Sequence, residues 1–277
     1  MNSNLIYRIL NKINHILTNF HIYKYLLIPR VQINKIFIDY KIRVQAIELR
    51  SLTNRYRMYQ PIPFPEFSDI KESRNRGCAS RWRVIKKCMD SDLNGLKIID
   101  LGSAEGYFSF QLIKEGADVV AIEYDKRKIN LMKLIKLRYN LQNMKILNGD
   151  LSKFSLLSLG KFDYCIYLNI HQHIYKRDVV SAVRILKELG QICKKGIFFE
   201  TRPVRFHSYV EAMNPENPQP FIKIDQMLDV VKNGTGLLYS KELFYMEYNK
   251  EPMHTQSIPE NTENIYRLFY LSRNEII

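Results

Sequence analysis

Apolar positions along this chain change period twice. Between Leu5 and Phe20 they recur at helical spacing, through Ile6, Ile9, Leu10, Ile13, Ile16 and Leu17, with Arg8, Lys12 and His15 beside the stripe. That spacing predicts an amphipathic helix over 4–20. A second, less cleanly patterned helix is expected from about 31 to 58, where Ile36, Phe37 and Ile38 are consecutive, and Pro29 separates the two. PIPFPEF (61–67) closes this arm with three prolines that cannot continue a helix, so it reads as a linker or strap. KESRNRGCASRWRVIKKCM (71–89) then carries a basic cluster into a helix with Trp82, Ile85 and Met89 at its apolar positions. From residue 97 the pattern becomes short buried runs separated by helical ones: KIID (97–100), DVVAIE (118–123), MKILNGD (144–150), FDYCIYLN (162–169) and GIFFET (196–201). Strands alternating with helices predict an α/β fold on a doubly wound sheet.

The stretch KIIDLGSAEG (97–106) carries the most chemical information. An apolar strand runs through Asp100 into Gly102-x-x-x-Gly106 and straight into FSFQLIKEG, a helix former. Glycines in a strand-to-helix turn let a ligand approach backbone N–H groups. A dinucleotide site wants G-x-G-x-x-G, whose second glycine admits a pyrophosphate, and Ser103 and Ala104 stand here instead. The expected ligand is therefore a nucleoside without a pyrophosphate. Glu123, about 20 residues beyond the turn, stands where doubly wound folds place the carboxylate that accepts ribose hydroxyls. Asp150 closes the third strand, so three strand ends in order carry Asp100, Glu123 and Asp150. A bland reading, in which the glycines make only a tight turn and Asp100 caps the helix, explains the turn but not the acidic series.

On these residues the chain resembles the class I S-adenosylmethionine-dependent methyltransferases over roughly 75–275. DLGSAEG is similar to the family's first motif, Glu123 to its ribose-binding acid, and Gly149-Asp150 to the position whose carboxylate faces the adenine amino group. The resemblance implies a Rossmann-like, doubly wound, seven-stranded, mostly parallel sheet. Its last strand is antiparallel and inserted beside the fifth, with ELFYMEY (242–248) and NIYRLFYL (264–271) as the final pair. It also implies S-adenosylmethionine as cofactor, held by Asp100, Gly102, Ser103, Ala104, Gly106, Glu123, Tyr124, Asp150, Leu151 and Asn169. Gly102 and Gly106 are expected to expose N–H donors for its carboxylate, and Asp100 to face its positive charge. In related folds the segment before the first strand covers the cofactor, which brings Tyr59, Gln60, Arg81 and Trp82 toward its methionine end. A looser likeness to bacterial methyltransferases of surface polysaccharide and glycolipid synthesis rests on YQP (59–61), SRW (80–82) and GYFSF (106–110). The chain then divides into a basic helical arm (1–60), a linker and cofactor-covering helix (61–95) and a methyltransferase domain (96–277).

Composition narrows the class. Hydrophobic residues make up 46% of 277, with 11 glycines and 10 prolines, which excludes a disordered or collagen-like chain. Cys78, Cys88, Cys165 and Cys193 form no C-x-x-C pair and have no histidine at zinc spacing, so a reduced, cytoplasmic compartment is expected and no metal. Cys165, mid-strand, is read as packing rather than as a nucleophile. No run approaches the ~20 apolar residues of a bilayer span, and no signal peptide is visible. The net charge is +14, and residues 1–58 hold ten Lys/Arg against two acids, a net +8. Three readings of that basic arm stay open: packing on the catalytic domain, contact with the inner face of a membrane, or binding of RNA or another partner.

The acceptor side is expected where the fourth and fifth strands end. LNIHQHIYKR (168–177) sets His171 and His173 just after a strand, and either is a candidate general base, because a sugar hydroxyl is hardly ionised at neutral pH and imidazole titrates near 6.5. Glu200 in FFETRP (198–203) is a candidate to orient a histidine or bind an acceptor hydroxyl. Arg202, Arg205 and His207 are candidates for an acidic group, and 201–221 for a lid. No N-P-P-Y-like motif follows the fourth strand and no Pro-Cys nucleophile is placed for a pyrimidine. The leading expectation is O-methylation of a saccharide or glycolipid, which makes the partner a small-molecule or glycan acceptor. RNA methylation on the basic surface is the alternative, and a catalytically silent cofactor-binding module is the third reading.

Overall fold

The structure is a computed structural model in which residues 30–52, 58–70, 77–202, 204–205, 221–222, 224–247 and 265–274 are described. The helix expected over 4–20 and most of the expected lid, with His207, lie outside the described residues. In chain order the elements are α1 (Arg30–Leu52), α2 (Cys78–Lys87), β1 (Lys97–Leu101), α3 (Tyr107–Lys114), β2 (Asp118–Glu123), α4 (Lys126–Tyr139), β3 (Met144–Asn148) and β4 (Phe162–Leu168). There follow α5 (His171–Arg177), α6 (Val179–Ile192), β5 (Cys193–Thr201), the short strands β6 (Val204–Arg205) and β7 (Phe221–Ile222), α7 (Ile224–Thr235), β8 (Tyr239–Glu247) and β9 (Ile265–Ser272).

Seven strands form one sheet in the order β3-β2-β1-β4-β5-β9-β8, with β6 and β7 paired apart from it. The first five run parallel, and β9 lies antiparallel between β5 and β8. This is the Rossmann-like order with an inserted antiparallel last strand that the resemblance implied. In register, Asp100 lies beside Ala121 of β2 and Ile166 of β4, and Leu168 lies beside Glu200. The carboxyl ends of β1, β2 and β4 thus come together where the strand order reverses, which is where open α/β sheets bind ligands.

Side-chain alternation explains why both faces are covered. Ile98, Tyr164, Ile166 and Phe198 point into a core shared with α2, α3 and α4, while Ile99, Cys165, Tyr167, Ile197 and Phe199 point into one shared with α6 and α7. Strands buried on both faces read as continuous apolar runs, as these do. The four cysteines are free thiols, and Cys165 is fully buried in the second core.

The second helix of the arm is α1, and it packs on the catalytic fold. Ile42, Ala46 and Leu49 join the core of α3 and α4, and Arg138 of α4 grips Asp39 through two N–H groups at 2.5 and 3.1 Å. The proline-rich segment is a strap of residues 58–70, held by Phe64 stacked on Tyr139 with ring centres 3.9 Å apart, by Tyr139 Oη donating to Glu66, and by Arg43 donating to the Glu66 carbonyl and to Asp69. Among the described residues no helix is long and apolar enough to cross a membrane.

Candidate cofactor and acceptor site

The turn from β1 to α3 is built on positive φ. Gly102 (69°), Ala104 (52°) and Gly106 (88°) all occupy the left-handed region. A Cβ on Gly102 would come within 2.5 Å of Ile170 Cδ1, and one on Gly106 within 2.8 Å of Met132 Sδ. The expectation that these glycines present free N–H donors does not hold. The Gly102 and Ser103 N–H groups donate to the Ile122 carbonyl and that of Gly106 donates to Ser103, which ties the turn to the end of β2. What Gly102 contributes is close approach, since it lines the cleft without a side chain. Ser103, buried against Ile122 and Met132, and Gly106, which starts α3, lie behind the wall rather than on it.

The cleft above the turn has a volume of about 500 Å³. Of the residues expected to hold the cofactor, Asp100, Gly102, Ala104 and Glu123 line one side of it, and Tyr124, Asp150, Leu151 and Asn169 complete that set. Tyr59, Gln60 and Arg81 form the side toward the strap and α2; Trp82 packs in the core instead.

Glu123 is buried and accepts three backbone N–H groups, from Ala104 at 2.9 Å on one oxygen and from Tyr124 and Asp125 at 2.9 Å on the other. An ionised carboxylate has about four acceptor positions, so a hydroxyl donor still finds room. Lys128, which sequence reasoning passed over, reaches in from the first turn of α4. Burial works against its charge, but the carboxylates of Glu105 and Glu123 hold its pKa above the ordinary value. Glu105, itself buried, accepts the Tyr59 N–H at 3.3 Å, so one acid ties the cofactor turn to both the strap and α4.

Asp100 is buried, accepts Ser109 Oγ at 2.6 Å, and has its pKa pushed up to about 7 by burial. A carboxyl that is uneasy as an anion without a cation suits a positively charged ligand. Asp150 accepts the N–H and Oγ of Ser152 at 3.0 and 2.8 Å, and the Ser152 hydroxyl bond lowers its pKa. Tyr124 is 70% exposed at the rim.

Two corrections arise on the acceptor side. Both histidines were candidates for the general base, but α5 begins at His171, and two residues along a helix turn a side chain by about 200°. His173 therefore faces the cleft, while His171 is fully buried in the second core, its Nδ1 3.1 Å from Tyr167 Oη and its ring packed against Tyr175 and Phe199. Burial pushes His171 down to about 4. Glu200 does not face the cleft either. It is fully buried, pairs with Arg81 Nε at 2.7 Å and accepts from Asn169 Nδ2. Asn169 sits at φ 55°, donates its N–H to the Glu200 carbonyl at 2.9 Å, and has a buried Oδ1 with no hydrogen-bond partner. Glu200 thus orients two residues that line the wall. His173 has its pKa lowered by burial and by the charges of Arg202, Arg177 and Lys176. No group of three or more His, Cys, Asp or Glu suited to hold a metal occurs among the described residues.

Comparison with known proteins agrees with this geometry. A family model described as a methyltransferase domain matches residues 92–246. The O-antigen chain terminator bifunctional methyltransferase/kinase WbdD of Escherichia coli is 23% identical over 200 residues, covering 66% of this chain and 28% of WbdD. This chain therefore spans under a third of that relative's length. A magnesium-protoporphyrin O-methyltransferase of Rhodobacter capsulatus is 26% identical over 174 residues, 61% of this chain and 75% of the relative. A crystal structure of WbdD superposes with a TM-score of 0.57 at 17% identity over 84% of this chain and 47% of the other. The N-terminal domain of EvdMO1, crystallised with SAH and D-fucose, superposes with a TM-score of 0.55 at 14% identity over 84% of this chain and 96% of that domain, which shows a shared fold.

The cleft fits the cofactor that this family uses. A glycine admits close approach, a buried glutamate stands at the end of β2, and a buried aspartate with a raised pKa awaits a cation. With more than half of its length matched by the methyltransferase-domain model, the chain belongs to the class I S-adenosylmethionine-dependent methyltransferases.

Proposed function

We propose that this enzyme methylates an oxygen of a saccharide or glycolipid acceptor, with His173 as general base. The observation that carries the reading is the placement of His173 in the same cleft as Asp100 and Glu123, with its proton affinity held down by burial and by neighbouring cations. Further support comes from relatives named for O-antigen termination and for O-methylation, and from the sugar crystallised with EvdMO1.

S-Adenosylmethionine supplies a methyl group on a sulfonium, open to in-line attack by a nucleophile. Glu123 would receive the ribose hydroxyls, Asp100 would balance the positive charge, and Arg81 and Gln60 would meet the methionine end. The chain's chief task is to hold donor and acceptor in line and exclude water. A neutral imidazole nitrogen of His173 takes the hydroxyl proton as the oxygen attacks. Lys176, Arg177 and Arg202, whose charges act on His173, make this side of the cleft electropositive, which suits an acceptor bearing an acidic group such as a phosphate.

The test is methyl transfer from radiolabelled cofactor to a panel of sugar phosphates, glycolipid extracts and bulk RNA. Label is expected in the saccharide fraction. His173→Ala should lower kcat by roughly 10²–10⁴ with cofactor-product affinity unchanged by calorimetry, while His171→Phe retains turnover. Because the neutral imidazole is the active form, kcat/KM should fall as pH drops through a value below the ordinary 6.5 of histidine. Label in RNA alone, or full activity in His173→Ala, refutes the proposal.

A further inference from the structure

The first turn of α4 carries three cations in succession, and they are used differently. Lys126 is exposed, and Arg127 turns back to Asp125, which accepts its Nε and Nη2 at 2.9 and 2.7 Å. Lys128 turns inward, half-buried in the wall of the cofactor cleft, with its ammonium 5.3 Å from the centre of the Tyr59 ring. Among the described residues that ammonium closes no hydrogen bond or ion pair. Burial works against its charge, but Glu105, then Glu123, Tyr59 and Asp125 outweigh burial through space. A protonated amine that is drawn toward two acids without touching either keeps its N–H groups for a ligand lying in the cleft.

The two acids have different tasks. Glu105 is 3% exposed and does not line the cleft; one of its oxygens accepts the Tyr59 N–H at 3.3 Å, and the other is buried with no hydrogen-bond partner. Burial raises its pKa, and Lys128 is the group that most opposes that rise, while Glu123 adds to it. Glu105 is thus the anchor of the lysine. Glu123 does line the cleft, and after accepting the N–H groups of Ala104, Tyr124 and Asp125 it has about one acceptor position left. A ribose hydroxyl that gives its hydrogen to that position keeps two lone pairs, which call for a donor. Of the other cations in the cleft wall, Arg81 is paired with Glu200, and Lys176 and Arg177 belong to α5 beside His173. Lys128 is the one that stands with Glu123.

We propose that Lys128 is a cofactor-binding residue of the ribose subsite: its ammonium would donate to the oxygen of a hydroxyl whose hydrogen goes to Glu123, while Glu105 and Tyr59 hold the lysine in place. A site built to bond a hydroxyl at both ends rejects an analogue that lacks it, because buried polar groups are then left unpaired. This role rests on Glu123 as the ribose-binding acid and is independent of the methyl acceptor.

Calorimetric titration with S-adenosylhomocysteine and with its 2′-deoxy and 3′-deoxy forms tests it. Lys128→Met should weaken S-adenosylhomocysteine binding roughly ten- to hundredfold, the usual value of a hydrogen bond to a charged group. For one of the two deoxy forms the same substitution should cost less than about threefold, as expected when its partner is already gone. Because Lys128→Met also strips Glu105 of its cation, Lys128→Met with Glu105→Gln is the companion variant. It removes the uncompensated buried charge, so the melting temperature should return toward that of the unaltered enzyme while affinity stays low. If the single variant fails to fold, the double variant carries the same comparison across the three ligands. A lysine that served only as counter-ion to Glu105 would give full affinity in the double variant, or an equal loss with all three ligands. Either result overturns the proposal, as does normal S-adenosylhomocysteine binding by Lys128→Met. In each of those cases Glu123→Ala still loses binding; if Glu123→Ala binds normally, the ribose reading itself falls and the role of Lys128 with it.

Discussion

Asp100 concentrates the chemistry of the cofactor site in one carboxyl. Its pKa, about 7 in the folded chain against an ordinary 3.8, means that the native state prefers the proton. A raised folded-state pKa contributes stability that is fully present below about pH 4 and lost as pH rises to 7, after which the ionised group costs on the order of 4 kcal/mol. A cationic ligand offsets that cost. Asp100→Asn should therefore raise the melting temperature of the ligand-free enzyme at pH 8, yet weaken S-adenosylmethionine binding by calorimetry at the same pH, about tenfold or more. A parallel loss of both stability and affinity would contradict this account. Asp100 and Glu123 were readable because each ends an apolar run at a predictable distance from a glycine turn. His171 was misread because sequence spacing cannot tell a loop from the first turn of a short helix, and in the helix its neighbour at 173 turns the other way. Lys128 escaped notice since nothing in KRKINLMK marks which of its four cations enters the cleft.

Among the elements, the strap of residues 58–70 couples the arm to the cofactor turn. The first turn of α3 has no side-chain cap of its own, and Gln60 Oε1, 47 residues upstream, accepts the Tyr107 N–H at 2.9 Å. Lys114 near the end of the same helix donates to the Pro63 carbonyl. Gln60→Ala should cost about 1 kcal/mol in urea unfolding, the usual value of a lost helix cap, and should also loosen cofactor binding because Gln60 lines the cleft. On the other face, Gly190 of α6 meets the end of α7 so closely that a Cβ would run into the Thr235 carbonyl. Gly190→Ala is expected to destabilise by roughly 1–3 kcal/mol through overpacking, with kcat of the remaining folded enzyme near normal. The strap's three prolines announced a break in helix, but not its partners, which are set by long-range packing.

At the scale of the whole molecule, the cleft draws on the strap, α2, β1, β2, β4 and α5 at once. Ligand binding must then stabilise all of them together. Saturation with S-adenosylhomocysteine at about 100 times its Kd should add about 2.7 kcal/mol to unfolding stability, visible as a thermal shift, and Glu123→Ala should abolish that shift. A shift of equal size in the variant would detach Glu123 from the ligand. The sequence alone determined the strand and helix alternation, the sheet order through its family likeness, the glycine turn and the acidic strand ends, because these depend on local periodicity and short spacings. Only the tertiary structure decided that α1 packs on α4 with an apolar face left outward, that His173 rather than His171 enters the cleft, and that Glu200 serves Arg81 and Asn169. Those outcomes depend on which faces of separate elements meet, and a one-dimensional pattern carries an element's apolar face without saying what will cover it.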